Sequence, residues 1–107
     1  MKNCSVQEFK KALESGASQS DIAFIDVCSI PEYDAHHIEG VQNIPLDELL
    51  SRTNELKDKK IIYVHCFSGG RSGLAAELLA SHGIDAEIYN VEGGIIAWHE
   101  AGFPLVG

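Results

Sequence analysis

Among 107 residues, the run Ile61–Leu79, IIYVHCFSGGRSGLAAELL, concentrates the groups able to do covalent chemistry. Four apolar residues, Ile61 to Val64, read as a buried strand, and the loop Cys66-Phe67-Ser68-Gly69-Gly70-Arg71 follows. From Ser72, apolar residues at Leu74, Ala75, Leu78 and Leu79 recur at helical spacing. A cysteine between a strand end and a helix start lies where backbone N–H groups converge. Those groups and the helix dipole favour an anion. A helix N-terminus supplies roughly 0.3–1 kcal/mol, and up to about 2 when partly buried. About 1.4 kcal/mol corresponds to a tenfold change in ionisation. The Cys66 thiol is therefore expected to ionise more readily than a free cysteine, and the thiolate is the nucleophilic form. An inert core cysteine is the alternative, but it does not account for two glycines, an arginine and a helix start around it.

The rest of the composition narrows the partners. Sixteen acidic and eight basic residues give a net charge of −8, which repels phosphate backbones and argues against nucleic acid. No long apolar run follows Lys2, so neither a signal peptide nor a membrane helix is expected. The default address is then the cytoplasm, where thiols stay reduced, although an exported chain trimmed of its signal reads the same. Three cysteines without tight spacing fit neither a disulfide framework nor a zinc motif, and no metal or cofactor is called for. At 45% hydrophobic residues, residues 1–107 read as a single domain with its own core.

Elements able to position Cys66 alternate along the chain. Ser5 with Glu8 forms a capping-box pattern for a helix ending near Gly16. Ile22 to Val27 reads as a strand covered on both faces. Pro31 to about His36 reads as a short helix, Val41 to Ile44 as a short strand, and Asp47 to Arg52 as another short helix. After the Cys66 strand and the helix Ser72–His82 come a strand Glu87–Val91 and a helix Ile95–Ala101. This alternation predicts an α/β fold with a mostly parallel sheet, whose ligands sit beyond the strand carboxyl ends. Asp26 to Ser29, His65 to Ser72 and Glu92 to Gly94 all fall at such ends, so they are expected to share one rim.

Four segments in order, IDVCSIPEYDAHHIEGVQNIP, VHCFSGGRS, YNVEGGIIAW and AGFPLV, make the chain resemble a single-domain rhodanese from Ile22 to Val106. The resemblance implies a three-layer sandwich with a five-stranded, mostly parallel sheet. It also implies a sulfurtransferase of the thiosulfate type. Cys66 takes the outer sulfur of a small donor such as thiosulfate, becomes a persulfide, and gives the sulfur to a thiol or cyanide acceptor or to an acceptor protein. Phe67, Ser68, Gly69, Gly70, Arg71 and Ser72 then form the substrate cradle, with Asp26 and His37 in support. A second reading is a sulfur carrier with little turnover of its own. A cysteine phosphatase is disfavoured, since the tyrosine and dual-specificity types keep five residues between Cys and Arg and only four stand here.

The chain departs from the family pattern at Cys28, where an arginine is usual, so Glu32 is expected to lack its usual partner. Cys28 reads either as a resolving thiol or, the favoured reading, as a small apolar filler. Arg71 either orients an anionic donor or ties the loop to a carboxylate. His65 either lowers the thiol pKa as a cation or is simply packed. Trp98 reads as core, and Glu92-Gly93-Gly94 as a tight strand-to-helix bend.

Overall fold

The computed structural model describes residues 2–16 and 18–107. Its elements are β1 (Lys2–Cys4), α1 (Val6–Gly16), β2 (Ile22–Asp26), α2 (Ile30–Ala35), β3 (Gln42–Asn43), a 3-10 segment (Leu46–Glu55), β4 (Ile61–His65), α3 (Gly70–Ser81), β5 (Glu87–Val91) and α4 (Gly94–Glu100). The five strands form one sheet in the order β1-β5-β4-β2-β3, and every pairing is parallel. The expected α/β three-layer sandwich is therefore present.

Strand alternation divides the core in two. Ala23, Ile25, Ile62, Val64, Cys66 and Ile88 pack on one face with Ala75, Ala76 and Leu79 of α3 and Leu49 of the 3-10 segment. Phe24 and Val91 pack on the other with Phe9 and Leu13 of α1 and Trp98 of α4. Phe9 is fully buried there, its ring 5.8–6.0 Å from those of Phe24, Tyr63 and Trp98. Parity thus sends Cys66 to the α3 side and His65 to the aromatic side. Trp98 is core, as expected, and its indole N–H donates to the Pro104 carbonyl at 2.8 Å.

Several boundaries differ from the sequence reading. β1 was not anticipated: of its residues only Cys4 is buried, so no apolar pattern marks it. It exists because β5 offers an edge, with Lys2 opposite Tyr89 and Cys4 opposite Val91. The expected strand Val41–Ile44 shrinks to Gln42–Asn43, and the short helix at Asp47–Arg52 is a longer 3-10 segment kinked at Arg52. α3 starts at Gly70 rather than Ser72, which places Arg71 and Ser72 inside its first turn. The first capping box forms as read: the Ser5 N–H donates to Glu8 Oε1 at 2.9 Å, and the Glu8 N–H to Ser5 Oγ at 3.1 Å. Among the described residues no helix is long and apolar enough to cross a membrane.

Candidate active site

β4 delivers Cys66 and α3 closes over it. Cys66 is 1% exposed, whereas Phe67 and Ser68 of the covering loop lie at the surface. Gly69 is the N-cap of α3 at φ +107, a conformation that L side chains rarely adopt. That backbone turn points the Gly69 N–H at Cys66 Sγ, 3.0 Å away. Burial pushes the Cys66 thiol pKa up. Hydrogen bonds from the Ser72 hydroxyl and from the Ser72, Gly69 and Ser68 N–H groups outweigh it, and the pKa ends below its ordinary value. The other two thiols go the opposite way. Burial, with nearby carboxylates, raises Cys4 to about 11 and Cys28 further still.

Ser72 is fully buried and has one proton for several acceptors. Its Oγ lies 2.5 Å from Asn90 Oδ1 and 3.1 Å from the Gly69 carbonyl. The Ser72 hydroxyl donates to Asn90 Oδ1, and the Asn90 amide N–H faces Asn3 Oδ1 at 3.5 Å. Asn90 was not singled out from sequence, since it lies 18 residues from Ser72 and only the β4–β5 pairing brings it there. A charge-assisted hydrogen bond is worth about 1.5–3 kcal/mol. Ser72→Ala should therefore cut the thiolate fraction of Cys66 at neutral pH by roughly tenfold or more. An ultraviolet titration of the thiolate checks this, and an unchanged curve would remove the hydroxyl from the site.

Arg71 forms a two-pronged ion pair with Glu32: Nη1 to Oε1 at 2.7 Å and Nη2 to Oε2 at 2.9 Å. Glu32, expected to lack its usual partner, thus has the loop arginine as one. Arg71 Nη2 also approaches Cys28 Sγ at 3.9 Å. The Arg71 guanidinium holds the Glu32 carboxyl down at about 2. Glu32 also completes the capping box of α2: the Ser29 N–H donates to its Oε1 at 2.9 Å. The tie to a carboxylate is therefore the arrangement Arg71 adopts.

Asp26 supports the neighbouring strand end, accepting the Cys28 N–H on Oδ1 at 2.8 Å. Its carbonyl accepts the Ile44 N–H and the Asn43 amide. His65 is fully buried, and burial lowers its pKa despite the Asp26 charge, so it is neutral. Its Nδ1 lies 3.2 Å from the Cys66 carbonyl, while Nε2 and Asp26 Oδ2, 3.9 Å apart, have no hydrogen-bond partner among the described residues. His65 is packed and gives the thiolate no cation. Cys28 is fully buried, in keeping with a filler. His37 stacks on Tyr33 at 3.9 Å, bonds the Tyr33 carbonyl through Nδ1 at 2.6 Å, and bridges Val106 through its backbone. These contacts tie α2 to the C-terminal segment rather than to the Cys66 loop.

The third part of the rim locks the loop from behind. The Ile95 N–H donates to the Cys66 carbonyl at 3.1 Å, and the Ile96 N–H to the Phe67 carbonyl at 3.0 Å. Gly94 is read from sequence as a tight bend. Its larger task is close approach, since a Cβ there would fall 2.3 Å from the Cys66 oxygen. The three strand-end segments do share one rim.

The fold and the loop have known counterparts. The family model described as Rhodanese-like domain matches residues 5–101. The chain is 38% identical over 94 residues to the putative sulfur carrier protein YrkF of Bacillus subtilis, covering 88% of this chain and 49% of that relative. It thus spans about half the length of YrkF. It is 28% identical over 100 residues to the thiosulfate sulfurtransferase GlpE of Shewanella oneidensis, covering 94% of each. The crystal structure of a rhodanese-related protein from Thermoplasma volcanium superposes with a TM-score of 0.82 at 30% identity, covering 99% of this chain and 98% of that one. With its parallel five-stranded sheet, its cysteine loop and a family match over most of its length, the chain belongs to the rhodanese-like family.

Proposed function

We propose that this chain is a sulfurtransferase, a single rhodanese-like domain in which Cys66 takes a sulfane sulfur from a small donor and holds it as a persulfide. The acceptor is a thiol, cyanide or a thiol on a protein. The observation that carries this reading is the Gly69 N–H aimed at Cys66 Sγ from the first turn of α3. The Cys66 thiolate attacks the outer sulfur, and the bond from that sulfur to the rest of the donor breaks. The electron pair departs with the leaving group. The persulfide anion replaces the thiolate, and N–H groups from Ser68 to Ser72 hold its charge in place of water. The α3 arrangement needs no separate base where the hydrogen bonds that lower the Cys66 pKa favour the thiolate. A reducing compartment such as the cytoplasm suits a buried free thiol.

Incubation with thiosulfate is expected to add the mass of one sulfur atom to the intact chain, and cyanide to remove it as thiocyanate. Failure of every sulfane compound tried to add that mass would overturn the reading.

The carrier reading is favoured by one feature. Arg71 is occupied by Glu32 on both prongs and offers a small anion little charge. A stable sulfur adduct with negligible thiocyanate formation would select the carrier.

A further inference from the structure

Beside the Cys66 loop lies a groove of about 530 Å³. Phe67, Ile95, Ile96, Phe103 and Leu105 form its apolar walls. Phe67 follows the nucleophile directly, and the Ile96 N–H is bonded to the Phe67 carbonyl, so one wall is fixed to the loop that holds Sγ. Phe67 and Ile96 remain 46% and 42% exposed, an arrangement that costs hydration unless something covers it. The polar groups on the rim are His36, His99 and Glu100, and no lysine or arginine lines the groove. Its size falls within the range of small-molecule clefts, about 300–1,000 Å³.

Charge points the same way. Thiosulfate is a dianion, whereas an organic thiosulfonate carries one charge and an organic substituent. The one arginine of the loop is neutralised by Glu32, and the chain as a whole bears −8. A donor with less charge and more apolar surface suits this site better.

We propose that the groove beside Phe67 receives the apolar substituent of an organic sulfane-sulfur donor and makes such a donor the preferred substrate over thiosulfate. The inference rests on the sulfur-transfer reading. The Cys66 thiolate attacks the outer sulfur of R–SO2–S⁻ and forms the new S–S bond. The bond from that sulfur to the sulfonyl group breaks, and its electron pair leaves on the sulfinate R–SO2⁻. Two negative charges enter and two leave, and no oxidant, reductant or proton is needed.

The test compares thiosulfate, methanethiosulfonate and benzenethiosulfonate by kcat/KM for sulfur delivery to cyanide, with sulfur uptake by Cys66 followed by intact mass. Aryl and methyl donors differ in intrinsic reactivity, so the decisive quantity is how their ratio changes with the groove. Ile96→Asn alters an exposed side chain without adding charge and leaves the backbone bond to Phe67 in place. It should lower the aryl-to-methyl ratio by roughly tenfold, the scale of one or two methylenes in an apolar pocket. Ile96→Leu should restore the ratio. Two outcomes overturn the proposal: a ratio the same in wild type and Ile96→Asn, or thiosulfate preferred over both thiosulfonates. Either would leave the groove to another occupant, such as the apolar surface of an acceptor protein. Absence of sulfur uptake from all three donors would instead overturn the underlying sulfur-transfer reading.

Discussion

Cys66→Ser is expected to abolish sulfur uptake from every sulfane donor and to lower transfer to cyanide by at least about a thousandfold, the scale of losing a covalent nucleophile. Serine keeps the shape of the site but loses the acidity, since its hydroxyl is not ionised in a ring of N–H groups that suffices for a thiol. The other cysteines do not substitute. Cys4 is raised to about 11 and Cys28 higher, so both are neutral where Cys66 is ionised. The pH dependence separates the three. Cys66 has a folded pKa below its unfolded one, so its contribution to stability is complete above the ordinary thiol range, near 8.5. That contribution is lost as pH falls through the lowered folded value. Cys4 and Cys28 behave oppositely: theirs is complete below that range and is lost as pH rises through the raised values. An ultraviolet titration should therefore show one thiolate forming below the ordinary range in wild type and none there in Cys66→Ser. An early thiolate that persists in the variant would assign the low pKa to another residue.

Gly94→Ala should be the most damaging change that adds a single methyl group. Gly94 sits at φ +53, and an added Cβ would lie 2.3 Å from the Cys66 oxygen and 2.8 Å from the Phe67 oxygen. Both neighbours are backbone, so neither can swing aside as a flexible side chain would. Left-handed backbone costs a non-glycine residue about 1–2 kcal/mol. Forcing the contact costs about 1–3 more. The sum, about 2–5 kcal/mol, is large for a chain of this size and corresponds to a fall in Tm of roughly 10 °C or more. The bonds from Ile95 and Ile96 to the loop carbonyls would be strained first, so sulfur transfer should fall along with stability. Gly70→Ala is the control. Nothing lies within 4 Å of a Cβ at Gly70, which is the first residue of α3. Its Tm should stay the same or rise slightly, by up to about 1 kcal/mol of stability. Thermal unfolding of both variants decides the matter. A tolerated Gly94→Ala would mean that the rim is less tightly locked than its distances indicate.

The proposed nucleophile, Cys66, stands out in the sequence because its signal is local. A continuous apolar run, a short glycine-containing loop and a helical stripe are contiguous between Ile61 and Leu79, and strand and helix periods suffice to locate them. The capping boxes at Ser5–Glu8 and Ser29–Glu32 are likewise short-range, although only the first was read in advance. β1 was not legible, because a three-residue edge strand with two exposed residues carries no pattern of its own. The role of Arg71 was only half legible, for the opposite reason. A tie to a carboxylate was one of two readings, and the fork to Glu32 that selects it joins residues 39 apart.

By itself the sequence determined which thiol is special, which elements carry it, and that a parallel sheet brings three strand ends to one rim. Those features follow from periodicity and local turn chemistry, which act over a few residues. Only the tertiary structure decided how the charges and contacts around the thiol are assigned. Arg71 is spent on Glu32, His65 is a neutral core residue, Asn90 stands behind Ser72, and Gly94 lets α4 lock onto the loop. Each of these depends on which side chains meet across the sheet and between layers. That information lies in the register of the strands and the packing of the helices, not in the spacing of residues along the chain.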